Sequence, residues 1–131
     1  MPPDDYPVAT PYLYYENAAA AMDWLIEAFG FSERMRMTSD DGTVNHGELV
    51  LGEGVIMLGQ PGPTYQSPAK RGGATAGVNV YVDDVDAHFE HAKAAGATIQ
   101  MEPTDQEYGD RRYDAKDPEG HDWFFAQRLS Y

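Results

Sequence analysis

Apolar and polar residues alternate along this chain at two periods, and the order in which those periods appear is repeated once. "YLYYENAAAAMDWLIEAFGF" starts as a strand and continues as a helix. Asn17 stands where an N-cap is needed, and the alanines after it favour helix. Met22, Leu25, Ile26 and Phe29 recur at helical spacing, and Gly30 supplies the stop. Further on, "VNVYVDDVDAHFEHAKAAGATI" has the same plan. Asp83 or Asp84 is its cap, Val85, Phe89 and Ala92 its buried face, and Gly96 its stop.

Three strand signals follow each helix: "ERMRM", "TVNHGELVL" and "GVIMLGQ", then "ATIQMEP", "RRYDAKD" and "HDWFFAQ". The turns correspond as well. "DDG" at 40 to 42 answers "EYG" at 107 to 109, and "GEG" before Val55 answers "PEG" before His121, at an offset of roughly 66 residues. One strand, one helix and three strands leave a sheet face and a helix face uncovered, which two such units solve together. The pattern predicts an α+β fold of two tandem strand-helix-three-strand (βαβββ) modules in one domain spanning 1–131. Module one runs over about 8–60 and module two over about 76–128. The Pro-, Gly- and Ser-rich stretch at about 61–75 is a crossing linker.

Composition narrows the function classes. A length of 131 residues with 42% hydrophobic content is enough for a core, and 13 glycines and nine prolines suit frequent chain reversals. The formal net charge of −13 argues against nucleic acid and anionic membrane surfaces, and suits either plain solubility or a cationic ligand. Without cysteine there are no disulfides, thiolate nucleophiles or Cys-based zinc sites. "MPPDDYPVATPYLYYEN" has neither a basic segment nor an apolar run, so no signal peptide or membrane anchor is expected and the default location is cytoplasmic. No Gly-rich phosphate loop, nucleophile elbow or HExxH pattern occurs.

With "YYENAAAAMDWLIEAFGF" opening one half and "YGDRRYDAKDPEGHDWFFAQ" closing the other, the chain resembles the vicinal oxygen chelate superfamily. That group includes glyoxalase I, bleomycin-resistance proteins, fosfomycin-resistance enzymes and extradiol dioxygenases. "DPEGH" ahead of an aromatic strand is the most specific mark. The resemblance implies curled mixed sheets that enclose a cleft, often completed by a second subunit, so a homodimer is expected. It also implies a divalent metal held by His and Glu on the first and last strands of each module. Carried over residue by residue, those positions fall on Thr10, Met57, Gly77 and Phe124. Gly and Phe offer no ligand atom, and a hydroxyl and a thioether suit these metals poorly. No metal and no other cofactor is therefore expected.

Strand alternation then nominates the residues facing the cleft. If Leu13, Leu49, Leu51, Val78, Val80 and Val82 lie under the helices, then Thr10, Tyr12, Tyr14, His46, Glu48, Val50, Asn79 and Tyr81 face the other way. Such a face suits a flat or partly cationic small molecule, although tyrosines at half-exposed strand positions or a dimer interface read the same way. The candidate ligand-binding set is Tyr12, Tyr14, His46, Glu48, Met57, Asn79, Tyr81, Arg111 and Phe124. His46 and Glu48, two apart on one strand, are also the candidate catalytic pair, with the carboxylate orienting an imidazole base.

Arg111 and Arg112 follow "YGD", where a loop can close on a ligand's acidic group or the arginines can pair with Asp110, Asp114 or Asp117. His88 and His91, one helical turn apart, read as surface residues, and the role of His121 stays open. The favoured function is a metal-free small-molecule binding protein. The rival is a glyoxalase-like lyase or isomerase, or a dioxygenase-type enzyme, with a non-standard site at His46 and Glu48.

Overall fold

The structure, a computed structural model, describes residues 2–130. They form two compact units that divide after Ser67, inside the stretch read as a linker. That stretch also contains a short helical turn, Pro68–Arg71, that alternation alone does not reveal.

In the first unit, β1 (Tyr12–Tyr14), α1 (Ala18–Phe29), β2 (Ser32–Thr38), β3 (Val44–Leu51) and β4 (Gly54–Gly59) follow in order. The sheet runs β1-β4-β3-β2, with β1 parallel to β4 and the other pairs antiparallel. Asn17 caps α1 by accepting from the Ala20 N–H, and Gly30 ends the helix in the left-handed conformation at φ 83°. A second acceptor at the helix start is Gln60 Oε1, which takes the Ala18 N–H at 3.0 Å from the end of β4. Met22, Leu25 and Phe29 of the helix are fully buried, as are Leu49 and Leu58 of the sheet. The helix packs closely enough that a Cβ on Gly47 would meet Met22 Sδ at 2.4 Å.

The second unit begins with that helical turn, α2 (Pro68–Arg71). It continues with β5 (Gly77–Tyr81), α3 (Val85–Ala94), β6 (Thr98–Asp105), β7 (Asp110–Lys116) and β8 (Asp122–Arg128). Its sheet order, β5-β8-β7-β6, copies that of the first, again with the first and last strands parallel. Neither sheet closes on itself. Of the two expected caps Asp84 is the one used, accepting from the Ala87 N–H, and Gln127 Oε1 takes the Val85 N–H at 2.9 Å as Gln60 does in the first unit. Even an irregularity recurs: register shifts fall between Glu33 and Met35 in β2 and between Ile99 and Met101 in β6.

The "DPEGH" mark owes its form to one carboxylate. Asp117 is 3% exposed. Its Oδ1 accepts the Glu119 and His121 N–H groups, and its Oδ2 accepts Trp123 Nε1–H at 3.0 Å. Turn and following strand are thus tied together before any ligand is considered. Trp123 and Phe125 are fully buried on the α3 side with Tyr113, and ring stacking joins them. Burial drives the Tyr113 phenol well above its ordinary pKa, and its hydroxyl shares a hydrogen bond of 2.5 Å with His88 Nδ1. His88, read from the sequence as a surface residue, is therefore half-buried and bonded to the core. Among the described residues no helix is long and apolar enough to cross a membrane.

Candidate functional site

Strand parity sends alternate side chains of the first sheet away from α1. Tyr12 and Tyr14 on β1, His46 and Glu48 on β3 and Met57 on β4 share that helix-free face, and the register places Met57 opposite both Tyr12 and Glu48. Tyr12 is 44% and Tyr14 52% exposed. Rings continue in a row: Tyr65 lies 6.0 Å from Tyr14, Tyr14 5.8 Å from Tyr12, and Tyr12 5.5 Å from His46, measured between centroids. Beside the row, a hollow of about 410 Å³ opens where the loop after β4 passes β3, lined by Glu16, Asn45, Gln60 and Tyr65 among others.

A chain of hydrogen bonds crosses this face. Tyr12 Oη is 2.9 Å from His46 Nδ1, His46 Nε2 is 2.7 Å from Glu48 Oε2, and the Tyr6 hydroxyl donates to Glu48 Oε1 at 2.6 Å. Tyr12 reaches His46 because β4 has a glycine beneath it: a Cβ on Gly59 would come 2.9 Å from the Tyr12 hydroxyl and 2.7 Å from the Asn45 carbonyl.

Glu48, expected to stand open at the cleft, is instead 4% exposed. The N-terminal segment folds over it. Arg34, next to the register shift in β2, stacks 4.1 Å over the Tyr6 ring, pairs with Asp5, and brings Nε within 3.7 Å of Glu48 Oε1. Burial by itself would raise the Glu48 carboxyl. Hydrogen bonds from Tyr6 and His46, with the charges of His46 and Arg34, outweigh that and hold its pKa below the ordinary value. Burial, aided by Tyr14 and Glu48, pushes the Tyr12 phenol up, so Tyr12 keeps its proton.

In the second sheet the helix-free face carries Gly77, Asn79 and Tyr81 on β5, Arg112 and Asp114 on β7, and Phe124 on β8. The Phe124 ring lies over Gly77, where a Cβ would meet its Cε2 at 2.4 Å, and Arg112 stacks on that ring at 4.3 Å. Arg112 also makes a two-point ion pair with Asp114, at 2.7 and 3.2 Å. The Tyr81 hydroxyl donates to Asp110 Oδ2 at 2.7 Å, a bond that raises the Tyr81 pKa. Arg128 Nε stands 3.1 Å from Asp110 Oδ1, supplying charge to an oxygen that has no hydrogen-bond donor.

Arg111 requires a correction. It belongs to β7 rather than to a loop, and its parity is that of Tyr113, so it points to the α3 side and pairs with Asp86 of the helix and Asp105 of β6. Arg112 is the arginine that shares a face with Phe124. Of the partners weighed from the sequence, only Asp114 is used, and by Arg112. Tyr6, Arg34 and Tyr65 were missed, because nothing local in "DDYPV", "ERM" or "PTYQ" signals contact with strands far away in sequence.

The geometry of a duplicated βαβββ unit with an open mixed sheet defines the class of protein, and sequence comparison agrees. Residues 8–125 match the Glyoxalase/Bleomycin resistance protein/Dioxygenase superfamily, and the chain belongs to it. The solved structure of TioX from Micromonospora sp. ML1 is 34% identical, with a TM-score of 0.76 over 95% of this chain and 98% of that one. A protein from Arabidopsis thaliana is 25% identical with a TM-score of 0.71, over 92% of this chain and 98% of its own. An uncharacterized protein of Mycobacterium tuberculosis is 34% identical over 126 residues, 92% of this chain and 74% of its own length.

Metal binding in this superfamily needs lone pairs on side chains that converge. Here His46 has both ring nitrogens engaged and Glu48 both oxygens, while Phe124 covers Gly77. Among the described residues no three of His, Cys, Asp and Glu gather to hold an ion. Thr10, Met57, Gly77 and Phe124, at the positions that the resemblance assigns to the family's metal, supply no imidazole or carboxylate for it.

Proposed function

We propose that this chain is a small-molecule binding protein that works without a metal and holds an aromatic or cationic compound against the helix-free faces of its sheets. The observation that carries the reading is the Tyr12–His46–Glu48 chain. It commits His46 and Glu48 to each other and leaves exposed tyrosine rings as a recognition surface. Such rings take flat apolar surface and attract cations, and a net charge of −13 favours the latter. Asn79, Tyr81 and Phe124 would serve the same role in the second unit. We further propose one domain built from both units, a homodimeric assembly and a cytoplasmic location.

Titration with a panel of cationic and planar aromatic compounds tests this. Binding that weakens in Tyr12→Ala and Tyr14→Ala supports it, and silence across the panel at millimolar concentrations counts against it.

One observation favours an enzymatic rival: a 2.7 Å bond from His46 to a carboxylate is the arrangement that orients a general base. Stoichiometric metal in the purified protein, abolished by His46→Ala, would replace binding by catalysis as the conclusion.

A further inference from the structure

We propose that Tyr12 presents its hydroxyl oxygen outward purely as an acceptor, so that this face selects a planar ligand bearing an N–H donor over an isosteric one bearing an acceptor. The inference rests on the binding role proposed above and concerns the chemistry of the ligand.

The direction of each hydrogen bond follows from the end of the chain. Glu48 is buried, its Oε1 already accepts the Tyr6 O–H, and an ionised carboxylate has no proton to give. The 2.7 Å contact at Oε2 must then be donated by His46 Nε2–H. A neutral imidazole carries one N–H, so Nδ1 is left with its lone pair. The atom 2.9 Å from that lone pair is Tyr12 Oη, whose single proton is thereby used inward. What remains on the exposed side of Tyr12 is a pair of oxygen lone pairs. An N–H in the plane of a ring lying against the tyrosines can donate to them, whereas a carbonyl, ether or carboxylate oxygen at the same place meets repulsion. One buried carboxylate thus sets the polarity of an exposed hydroxyl two residues of the relay away.

The same logic makes the preference reversible. When His46 takes a second proton, both ring nitrogens donate, Tyr12 accepts from Nδ1–H, and its own proton turns outward. The charged and titratable groups facing the imidazole are Glu48 on its own strand, Tyr12 and Tyr14 on β1, Arg34 on β2, and Asp5 and Tyr6 of the N-terminal segment. On β4 the neighbouring side chain of this face is Met57, which lies opposite Glu48 and does not titrate.

The test uses the full chain and two neutral probes of one shape, indole with its N–H and benzofuran with a ring oxygen. At mildly alkaline pH, long-range proton–nitrogen NMR should show His46 as the Nε2–H tautomer. Indole should bind about tenfold more tightly than benzofuran, the equivalent of one neutral hydrogen bond. Tyr12→Phe should bring the two probes level while leaving the His46 tautomer in place, and indole's advantage should shrink once acidification shows His46 as the imidazolium.

An Nδ1–H tautomer overturns the proposal without reference to any ligand. Equal binding of both probes by the wild type overturns the donor preference and leaves the binding reading standing. If neither probe moves the Tyr12, Tyr14 or His46 signals at millimolar concentration, both fall together.

Discussion

The helix-free faces of the two units have one backbone plan and opposite chemistry. In each, two residues on the third strand, two apart, pair a nitrogen-bearing side chain with a carboxylate beside a ring. His46 and Glu48 do so next to Tyr12, and Arg112 and Asp114 do so next to Phe124. Register makes the two pairs equivalent: Glu48 lies opposite Met57 as Asp114 lies opposite Phe124. Yet His46 can shift its proton between two nitrogens, whereas Arg112 is charged at any working pH. Only the first face can change its hydrogen-bond polarity. The two faces therefore share a geometry, which packing enforces, while the chemistry of their outward positions differs.

The largest contrast to break is at the turn before the last strand. Asp117→Ala strands three donors, one of them the indole of buried Trp123, and should lower stability by about 3 kcal/mol in urea unfolding. Glu53→Ala, in the corresponding two-residue turn between Leu51 and Gly54, should change it by less than about 0.5 kcal/mol. Comparable losses at the two sites would mean that Asp117 does not organise its turn.

Next comes Gly77→Ala, which drives a Cβ into the Phe124 ring and should destabilise by about 1–2 kcal/mol. Much of that loss should return in Gly77→Ala with Phe124→Leu, read as coupling in a double-mutant cycle. Additive losses would show that ring and glycine do not share space.

Glu48 should leave its mark on the acid limb of the stability curve. Its folded pKa lies below the ordinary value of about 4.3, so its contribution is complete above that value and is lost as pH falls through the lower folded one. Glu48→Gln should flatten this part of the profile, measured as midpoint against pH. An unchanged acid limb would place Glu48 in ordinary solvent.

The smallest effect belongs to Tyr6→Phe, which keeps the stack on Arg34 and removes one donor to Glu48. A small loss of stability is expected, with faster amide exchange in the N-terminal segment and little change elsewhere.

What could be read from sequence differs between these features for a physical reason. Asn17 and Gly30 act within a few residues of themselves, so their types reveal their jobs, whereas Asp83 and Asp84 read alike until the structure shows Asp84 as the cap. Leu13, Leu49 and Val78 likewise announce which way their strands face. Arg111 was set at a ligand-closing loop although the strand signal "RRYDAKD" already begins with it, and one step along a strand changes the face. Gln60 and Gln127 cap helices from 42 residues away, and no local rule connects them.

By itself, then, the sequence determined the two βαβββ units, the Asn17 cap and the parity of most strands, since these depend on periodicity and on neighbours a turn or two apart. Only the tertiary structure decided that Tyr6 and Arg34 close over Glu48, that Tyr12 meets His46 above Gly59, and that Phe124 covers Gly77. Those contacts join residues distant in sequence, and their energies depend on distances of a few ångströms that no pattern of residue types encodes.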